Sequence, residues 1–171
     1  HLVSDFLIEQ PPPVLYLNKI EEKGQRYNGF NIICGTADEL YYYGNYQQGV
    51  HKIDNSIHGL SNALLNTEWP KVERGKTKLE DLINKDQVNS DRLFELLYDD
   101  MKANVEHLPD TGVGLEKEKM LSPMFIKSPE YGSRCSTVLL VDRDDTYTYI
   151  ERTYDVSDFS YTESDFNFQV K

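Results

Sequence analysis

The chain has 171 residues, of which 27% are charged and 39% apolar, and 18 basic against 29 acidic side chains give a net charge of −11. This balance is typical of a globular protein with a real core, and it excludes a nucleic-acid surface, which needs clustered lysine and arginine. Two cysteines, neither in a CxxC pair, exclude a disulfide framework and a cysteine-based zinc site, and no apolar run approaches the roughly 20 residues of a membrane span.

The N-terminal segment predicts two helices. Apolar residues fall on one side of residues 2–7, and the prolines of residues 11–13 end this first helix because proline lacks the amide hydrogen. A second helix begins at Pro13, a favourable first helical position, and ends at Gly24.

The hydrophobic period then changes from helical to strand-like. Two apolar runs, residues 30–34 and 40–43, flank the turn sequence TADE and predict a β-hairpin. Two more short strands are predicted at GVHKI, residues 49–53, and at IHGLSN, residues 57–62. Asn62 would then stand at the end of a strand.

The middle of the chain predicts two further helices and a loop. One helix follows Trp69, with Pro70 in its first turn, and the next spans SDRLFELLYDDM with Ser90 as its N-cap. Residues 103–119 are polar and contain Pro109 and two glycines, so a loop is expected there.

Three strands are predicted at the C-terminal end. The nearly continuous apolar run STVLLVD predicts a strand covered on both faces, with residues 138–141 among the most buried. TYTYIER alternates and should be half-exposed, and DFNFQV should point Phe166, Phe168 and Val170 inward. This order of elements favours a single α+β domain over residues 1–171, in which helices pack on antiparallel sheet.

Candidate site residues are few. The sequence has no GxSxG, P-loop, HExxH or GxGxxG motif, and its four scattered histidines lack metal-ligand spacing, so we expect no metal site and no cofactor. Asn62 and Arg134 lie beside small residues at the edges of apolar β segments. An Asn amide can donate to an oxyanion, and an Arg can hold a carboxylate or stabilise a thiolate. The alternative is that Asn62 caps the helix after Trp69 and Arg134 is a surface residue.

The two cysteines favour structural roles. Cys34 lies in an apolar strand, where a thiol is usually an inert small hydrophobe. Cys135 follows Arg134, which could lower the pKa of its thiol, but a structural residue at the start of a strand is the simpler interpretation.

Five motifs occur in a fixed order between Tyr27 and Asp155: YNGFNII, YYYGN, GLSNALLNTEWPKVERGK, YGSRCSTVLLVDRD and YIERTYD. They resemble the Transport and Golgi organization family, also called the NRDE family. The resemblance implies an αββα sandwich with antiparallel sheets, similar to N-terminal-nucleophile hydrolases. Family members begin Met-Cys and carry an Asn-Arg-Asp-Glu tetrapeptide, and neither occurs here, so the domain is expected to be incomplete at its N-terminal side.

The resemblance also implies a function. It points to Golgi organization, secretion, and lipid and haem homeostasis, in the cytoplasm with Golgi or mitochondrial association and with an acyl-CoA-like or haem-like ligand. Asn62 matches an Asn at the oxyanion of related amide hydrolases, and Arg134 matches an Arg near their cysteine, so the two should face one cleft. The alternatives are a scaffold, and a cysteine-dependent amide or thioester hydrolase whose nucleophile lies upstream. His1 cannot replace that nucleophile, so this chain alone should be inactive.

Overall fold

The computed structural model describes residues 1–129 and 131–169, which form two compact units, His1–Thr67 and Glu68–Lys171. In this part of the chain there are five α-helices and two three-stranded antiparallel sheets. The predicted α+β class with antiparallel sheets is therefore confirmed. The single-domain organisation stays a prediction.

The first unit begins with the two predicted helices, α1 (Leu2–Glu9) and α2 (Pro13–Glu21). α2 ends before the predicted Gly24, which instead opens a short 3-10 turn. The first core lies between α2 and the sheet that follows, and its buried members are Tyr16, Leu17, Ile20, Cys34 and Tyr43. α1 has no buried residue of its own and is tied to α2 by the Tyr16 hydroxyl, which donates to the carbonyl of Leu2 at 2.5 Å.

The sheet of the first unit contains β1 (Asn31–Gly35), β2 (Leu40–Gly44) and β3 (His51–Ile53), in that order. The predicted hairpin and the strand at GVHKI are confirmed. The predicted strand at residues 57–62 is wrong, because the segment forms a loop. Its backbone bonds to side chains of the sheet and not to a neighbouring strand.

Asn45 fixes the loop that precedes β1. This buried side chain accepts a hydrogen bond from the amide of Phe30 at 2.8 Å and donates to the carbonyls of Gly24 and Asn28, each at 3.1 Å. The neighbouring Gly44 is required by packing, since a Cβ there would lie 2.5 Å from the Tyr42 hydroxyl. The motifs YNGF and YYYGN are thus joined by hydrogen bonds.

The second unit contains α3 (Pro70–Asn84), α4 (Ser90–Leu97) and α5 (Leu115–Leu121). The N-cap of α4 is Asn89, one residue before the predicted Ser90, because the Asn89 carboxamide oxygen accepts from the amide of Arg92 at 3.0 Å. The loop predicted over residues 103–119 is wrong in part. It contains a 3-10 turn and most of α5. Its polar composition suggested exposure, but Glu118 is buried and accepts a hydrogen bond from the amide of Thr111.

Asp99 ties α3 to the segment after α4. One carboxylate oxygen accepts from the Arg74 and Lys78 side chains, each at 2.7 Å, and the other accepts from the amide of Met101 at 2.9 Å. Its backbone carbonyl accepts from the amide of Phe125 at 2.8 Å. Burial opposes ionisation, but the Lys78 and Arg74 bonds outweigh it and hold the pKa of Asp99 below its ordinary value.

The sheet of the second unit contains β4 (Cys135–Val141), β5 (Thr146–Tyr154) and β6 (Tyr161–Gln169), in that order. Val138 and Ile150 pack with Phe94 of α4 in a second buried core. Arg152 lies over the Phe94 ring, with its guanidinium carbon 3.9 Å from the centroid, and pairs with Glu163 at 2.7 Å. This side chain joins α4, β5 and β6.

The opposite face of this sheet is largely uncovered. The register places Leu139, Tyr149 and Phe166 in one row and Val141, Tyr147 and Phe168 in the next, and we call these six residues the aromatic face. Leu139 is 55% exposed and Val141 44%, whereas Val138 is only 4% exposed.

Two predictions about these strands are therefore corrected. The burial predicted over residues 138–141 holds for Val138 and in part for Leu140, which packs against the same core. It is wrong for Leu139 and Val141, and burial of Phe166 and Phe168 is wrong too, because α4 covers only one side of the sheet. Val170 lies outside the described residues. The predicted half-exposure of TYTYIER is confirmed, since most of β5 is partly buried.

Candidate functional site

The first candidate region is the loop of residues 57–67, here called the Asn62 loop. The Asn31 side chain on β1 donates to the carbonyl of Ala63 at 2.8 Å and to that of Ser61 at 3.5 Å. The Tyr42 hydroxyl donates to the Asn31 side-chain oxygen at 2.6 Å and accepts from the amide of Leu65 at 3.2 Å. Two sheet residues thus hold the loop backbone at three points.

Asn66 closes the loop on itself. Its backbone amide donates to the carbonyl of Gly59 at 2.8 Å, and its side-chain oxygen accepts from the amide of Gly59 at 2.9 Å. A backbone amide can only donate, so the side-chain NH₂ of Asn66 must face Nδ1 of His58, 2.9 Å away. Nδ1 then accepts, and the imidazole proton lies on Nε2, 3.0 Å from the Asp54 carboxylate.

Asp54, Ser56 and His58 are the residue types of a hydrolase triad, but the donors and acceptors of their hydrogen bonds do not match those of a triad. The Ser56 hydroxyl donates to Asp54, so it is not poised to give its proton to His58. Nε2 of His58 lies 3.1 Å from the Ser56 oxygen but bears a proton, and a general base needs a lone pair there. Bonds from Ser56 and then His58 lower the pKa of Asp54. The cluster anchors the loop.

Asn62 lies in a bend between two held residues. Ser61 and Ala63 are fixed through their carbonyls, while the Asn62 side chain is exposed and makes no hydrogen bond within residues 1–129 and 131–169. The alternative that Asn62 caps α3 is wrong, since the N-cap is Trp69 and makes no side-chain cap bond. The predicted strand end is wrong too, as the loop replaces the strand. What remains is an amide donor on a fixed backbone.

The second candidate region surrounds Arg134. Ser133 exchanges two hydrogen bonds of 2.9 Å with Ile126, and the carbonyl of Arg134 accepts from the amide of Tyr154 at 2.8 Å. A Cβ at Gly132 would lie 3.0 Å from the Ile126 carbonyl oxygen, so the YGSR sequence needs glycine for close packing. The Arg134 guanidinium is exposed, and no ion pair links it to the residues whose placement is described.

The cysteines differ in exposure. Cys34 is buried in β1, where burial raises the pKa of its thiol, and the predicted inert role agrees with this. Cys135 lies at the start of β4, as predicted, but it is exposed and does not contribute to a buried core.

Asn62 belongs to the first unit and Arg134 to the second, and the prediction that both face one cleft stays a prediction. Sequence reasoning missed the residues that hold these segments, Asn31, Tyr42 and Asn66. The signal was present, since each stands inside one of the five motifs. Among the described residues, no group of three His, Cys, Asp or Glu side chains is arranged to hold a metal ion, and no helix has the length and apolar character to cross a membrane.

Comparison with known proteins gives one consistent match. The family model described as Transport and Golgi organisation 2 matches residues 1–156. The chain is 32% identical to the human Transport and Golgi organization protein 2 homolog, over 95% of this chain and 64% of that protein. It is also 32% identical to the Bos taurus protein of the same name, over 89% of this chain and 60% of that protein. The chain thus spans less than two thirds of either relative, and it belongs to the Transport and Golgi organisation 2 family.

Proposed function

We propose that this protein acts in Golgi organization, secretion, and lipid and haem homeostasis by binding an acyl-CoA-like or haem-like metabolite. Asn62 and Arg134 contribute to one N-terminal-nucleophile-hydrolase-like cleft, and the protein works in the cytoplasm with Golgi or mitochondrial association. The observation that carries this proposal is the Asn62 loop, whose backbone is fixed on both sides of an exposed, unpaired amide. A donor on a fixed backbone loses little conformational entropy when it binds a ligand.

The net negative charge of the chain repels an anionic ligand, so such a ligand can bind only where cationic or NH groups are close to it. The net charge is −11, and acyl-CoA phosphates and haem propionates are anions, so the ligand needs cationic or NH contacts at its polar end. Arg134 is an exposed cation on a backbone held by Tyr154. A guanidinium can donate to a phosphate or carboxylate through two parallel bonds.

The strand after Arg134 supports an amphiphilic ligand. Cys135, Leu139 and Val141 project from the same face of β4, and the aromatic face begins at Leu139, roughly 13 Å along the strand from Cys135. Exposed apolar side chains are therefore available on the strand that follows Arg134 to contact the apolar body of a ligand.

The test is binding of octanoyl-CoA and of haemin to the 171-residue chain, measured by calorimetry. We expect saturable binding of at least one ligand, weakened about tenfold in Arg134→Ala and severalfold in Asn62→Ala, because charged contacts outweigh neutral ones. Asn55→Ala and Arg143→Ala are matched controls, since both side chains are exposed and lie outside the two candidate regions. Equal losses in the controls, or no saturable binding of either ligand, would contradict the proposal.

A second candidate is a cysteine-dependent amide or thioester hydrolase whose nucleophile lies outside this chain. The unpaired amide of Asn62 favours it, because an oxyanion donor must be free and held in advance of the reaction. The chain alone is then expected to leave octanoyl-CoA intact. Turnover that vanishes in Cys34→Ala or Cys135→Ala would place the nucleophile within the chain, and turnover that survives both changes would exclude a cysteine mechanism.

A further inference from the structure

The first unit contains a cavity of about 550 Å³, and most of the residues that line it lie outside the five motifs. It lies between the end of α2, the 3-10 turn that follows and the turn after β2. The side chains that matter for its chemistry are Glu21, Gln25, Tyr43, Tyr46, Gln47 and Gln48. Asn62 and Arg134 do not line this cavity, so it is separate from the two regions described above.

Among the described residues that line the cavity, Glu21 is the only charged one. One of its carboxylate oxygens accepts from the backbone amide of Gly49 at 2.5 Å, which fixes the carboxylate, and no other residue in the described part of the chain bonds to this group. Gly49 has a φ of 92°, a conformation that suits glycine. Burial chiefly raises the pKa of the Tyr43 hydroxyl, and the charge of Glu21 adds to it. The carboxylate thus acts electrostatically on a cavity wall.

Two tyrosines and three glutamines complete the wall. Tyr46 is 76% exposed, and its ring packs so closely on Gly29 that any side chain there would collide with it. Most of the ring surface is open. The Gln25 amide donates to the carbonyl of Asn45 at 3.4 Å, whereas the Gln47 and Gln48 side chains make no hydrogen bond with described residues.

We propose that this cavity binds a small organic ammonium group, with Glu21 as its counter-ion and the ring of Tyr46 beside it. A cation is attracted both by a carboxylate and by the face of an aromatic ring. The glutamine side chains have oxygens that can accept from hydroxyl or N–H groups next to the cationic centre.

The lining chemistry argues against the other ligand classes. An anion such as a phosphate or propionate would meet a fixed carboxylate and no lysine or arginine among the lining residues. This cavity is therefore not the site proposed above for acyl-CoA or haem. A neutral sugar could use the amides, the ring and a hydroxyl bond to Glu21, but unlike an ammonium it would leave the charge of Glu21 uncompensated.

The experiment compares choline with 3,3-dimethylbutan-1-ol, which has the same shape without the charge, and with glucose, each titrated by NMR into the full chain. We expect choline to shift resonances around Tyr46 in a saturable manner and to bind at least about tenfold more tightly than the neutral isostere. Equal binding of the isostere, tighter binding of glucose, or no saturable response to choline overturns the proposal.

Two variants test whether Glu21 is the carboxylate that binds choline. Glu21→Gln keeps an acceptor for the amide of Gly49, so the fold should survive, and choline affinity should fall about tenfold or more. Glu22→Gln removes the adjacent exposed carboxylate, makes the same change in net charge, and should leave affinity unchanged. Similar losses in both variants would mean that only overall charge matters and would overturn the assignment.

A substitution of Tyr46 and a vesicle-binding assay complete the experiment. Tyr46→Leu should weaken choline binding severalfold while the melting temperature stays close to that of the parent chain. Co-sedimentation with phosphatidylcholine vesicles that free choline reverses would assign the ammonium to a lipid headgroup. Binding of free choline without co-sedimentation would assign it to a free metabolite, and both results support the ammonium site.

Discussion

At the scale of single residues, asparagine side chains hold loops of the first unit in place through hydrogen bonds. Asn31 and Asn66 bond to backbone groups of the Asn62 loop, and Asn45 bonds to backbone groups of the loop before β1. Each carboxamide offers both a donor and an acceptor. Such roles are hard to predict from one sequence, because asparagine is also common in ordinary turns. The sequence indicated Asn62 as a candidate site residue, but not the neighbours that hold its loop.

The Asn45 side chain should be the most costly of these to remove. Asn45→Ala leaves the amide of Phe30 and the carbonyls of Gly24 and Asn28 without their partner, and we expect the free energy of unfolding to fall by about 2–4 kcal/mol. Urea denaturation measures the loss. Asn28→Ala removes an exposed side chain nearby and should change stability by less than about 0.5 kcal/mol. Similar values for the two variants would refute the role given to Asn45.

Asp99 makes a prediction about pH. Its folded pKa lies below its ordinary value, so it contributes stability that is present above the unfolded pKa, near 3.9, and is lost as the pH falls through the folded pKa. Asp99→Asn should therefore destabilise the protein near neutral pH and lessen the further loss on acidification below about pH 4.

Unfolding curves between neutral and acid pH test this prediction. Asp81→Asn is the control, because Asp81 is an exposed carboxylate on α3 whose lysine partner is 3.8 Å away. An Asp99→Asn variant that loses stability on acidification as steeply as the parent would show that Asp99 does not carry the effect.

At the scale of elements, periodicity predicted the helices well and the surroundings of the strands poorly. α1, α2 and α3 appear where apolar spacing and proline indicated, since both signals are local. The apolar run of β4 indicated burial on both faces, but whether a second layer covers a face depends on distant parts of the chain. The prediction of a strand at residues 57–62 is wrong for a similar reason. The side chain of Asn31, on β1, bonds to a backbone carbonyl of this segment in place of a neighbouring strand.

Arg152 should fix α4 to its sheet. Its guanidinium lies over Phe94, 4.6 Å from the Tyr161 ring centroid, and pairs with Glu163 and Asp91. We expect Arg152→Ala to lower the free energy of unfolding by about 1–3 kcal/mol, because packing, cation–π contact and ion pairs are lost together.

Arg92→Ala is the matched control, because Arg92 forms one exposed ion pair on the same helix, at 2.7 Å from Glu95. Such pairs contribute about 0–1 kcal/mol, so a small loss in urea denaturation is expected. If Arg92→Ala costs as much as Arg152→Ala, the contacts with Phe94 and Tyr161 do not stabilise the unit.

At the scale of the whole molecule, the central question is whether the two candidate regions form one site. Cys135 is exposed beside Arg134 and Cys34 is buried, so an Asn62→Cys variant can take two spin labels at the positions of interest. If both regions face one cleft, electron paramagnetic resonance should give an interspin distance near or below about 15 Å after allowance for the labels, the span of one small site.

The single-label Asn62→Cys, Cys135→Ser variant controls for contacts between molecules. A broad distribution far above that distance, in the presence and absence of octanoyl-CoA, would show that Asn62 and Arg134 serve different sites. Haemin is unsuitable as the ligand in this experiment because its paramagnetic iron would perturb the labels.

The dependence of several backbone carbonyls on Asn45 has a consequence for the chemical lifetime of the protein. The hydrogen-bond partner of Asn45, Asn28, is exposed and is followed by Gly29. In such a pair the backbone nitrogen of the glycine readily attacks the asparagine side-chain carbonyl, and ammonia leaves as a succinimide ring forms. Hydrolysis of that ring leaves either aspartate or a backbone lengthened through the side chain. The second product shifts the Asn28 carbonyl away from Asn45 and adds charge beside Tyr46. Ageing of this one bond would loosen the loop before β1 and reshape the adjoining cavity.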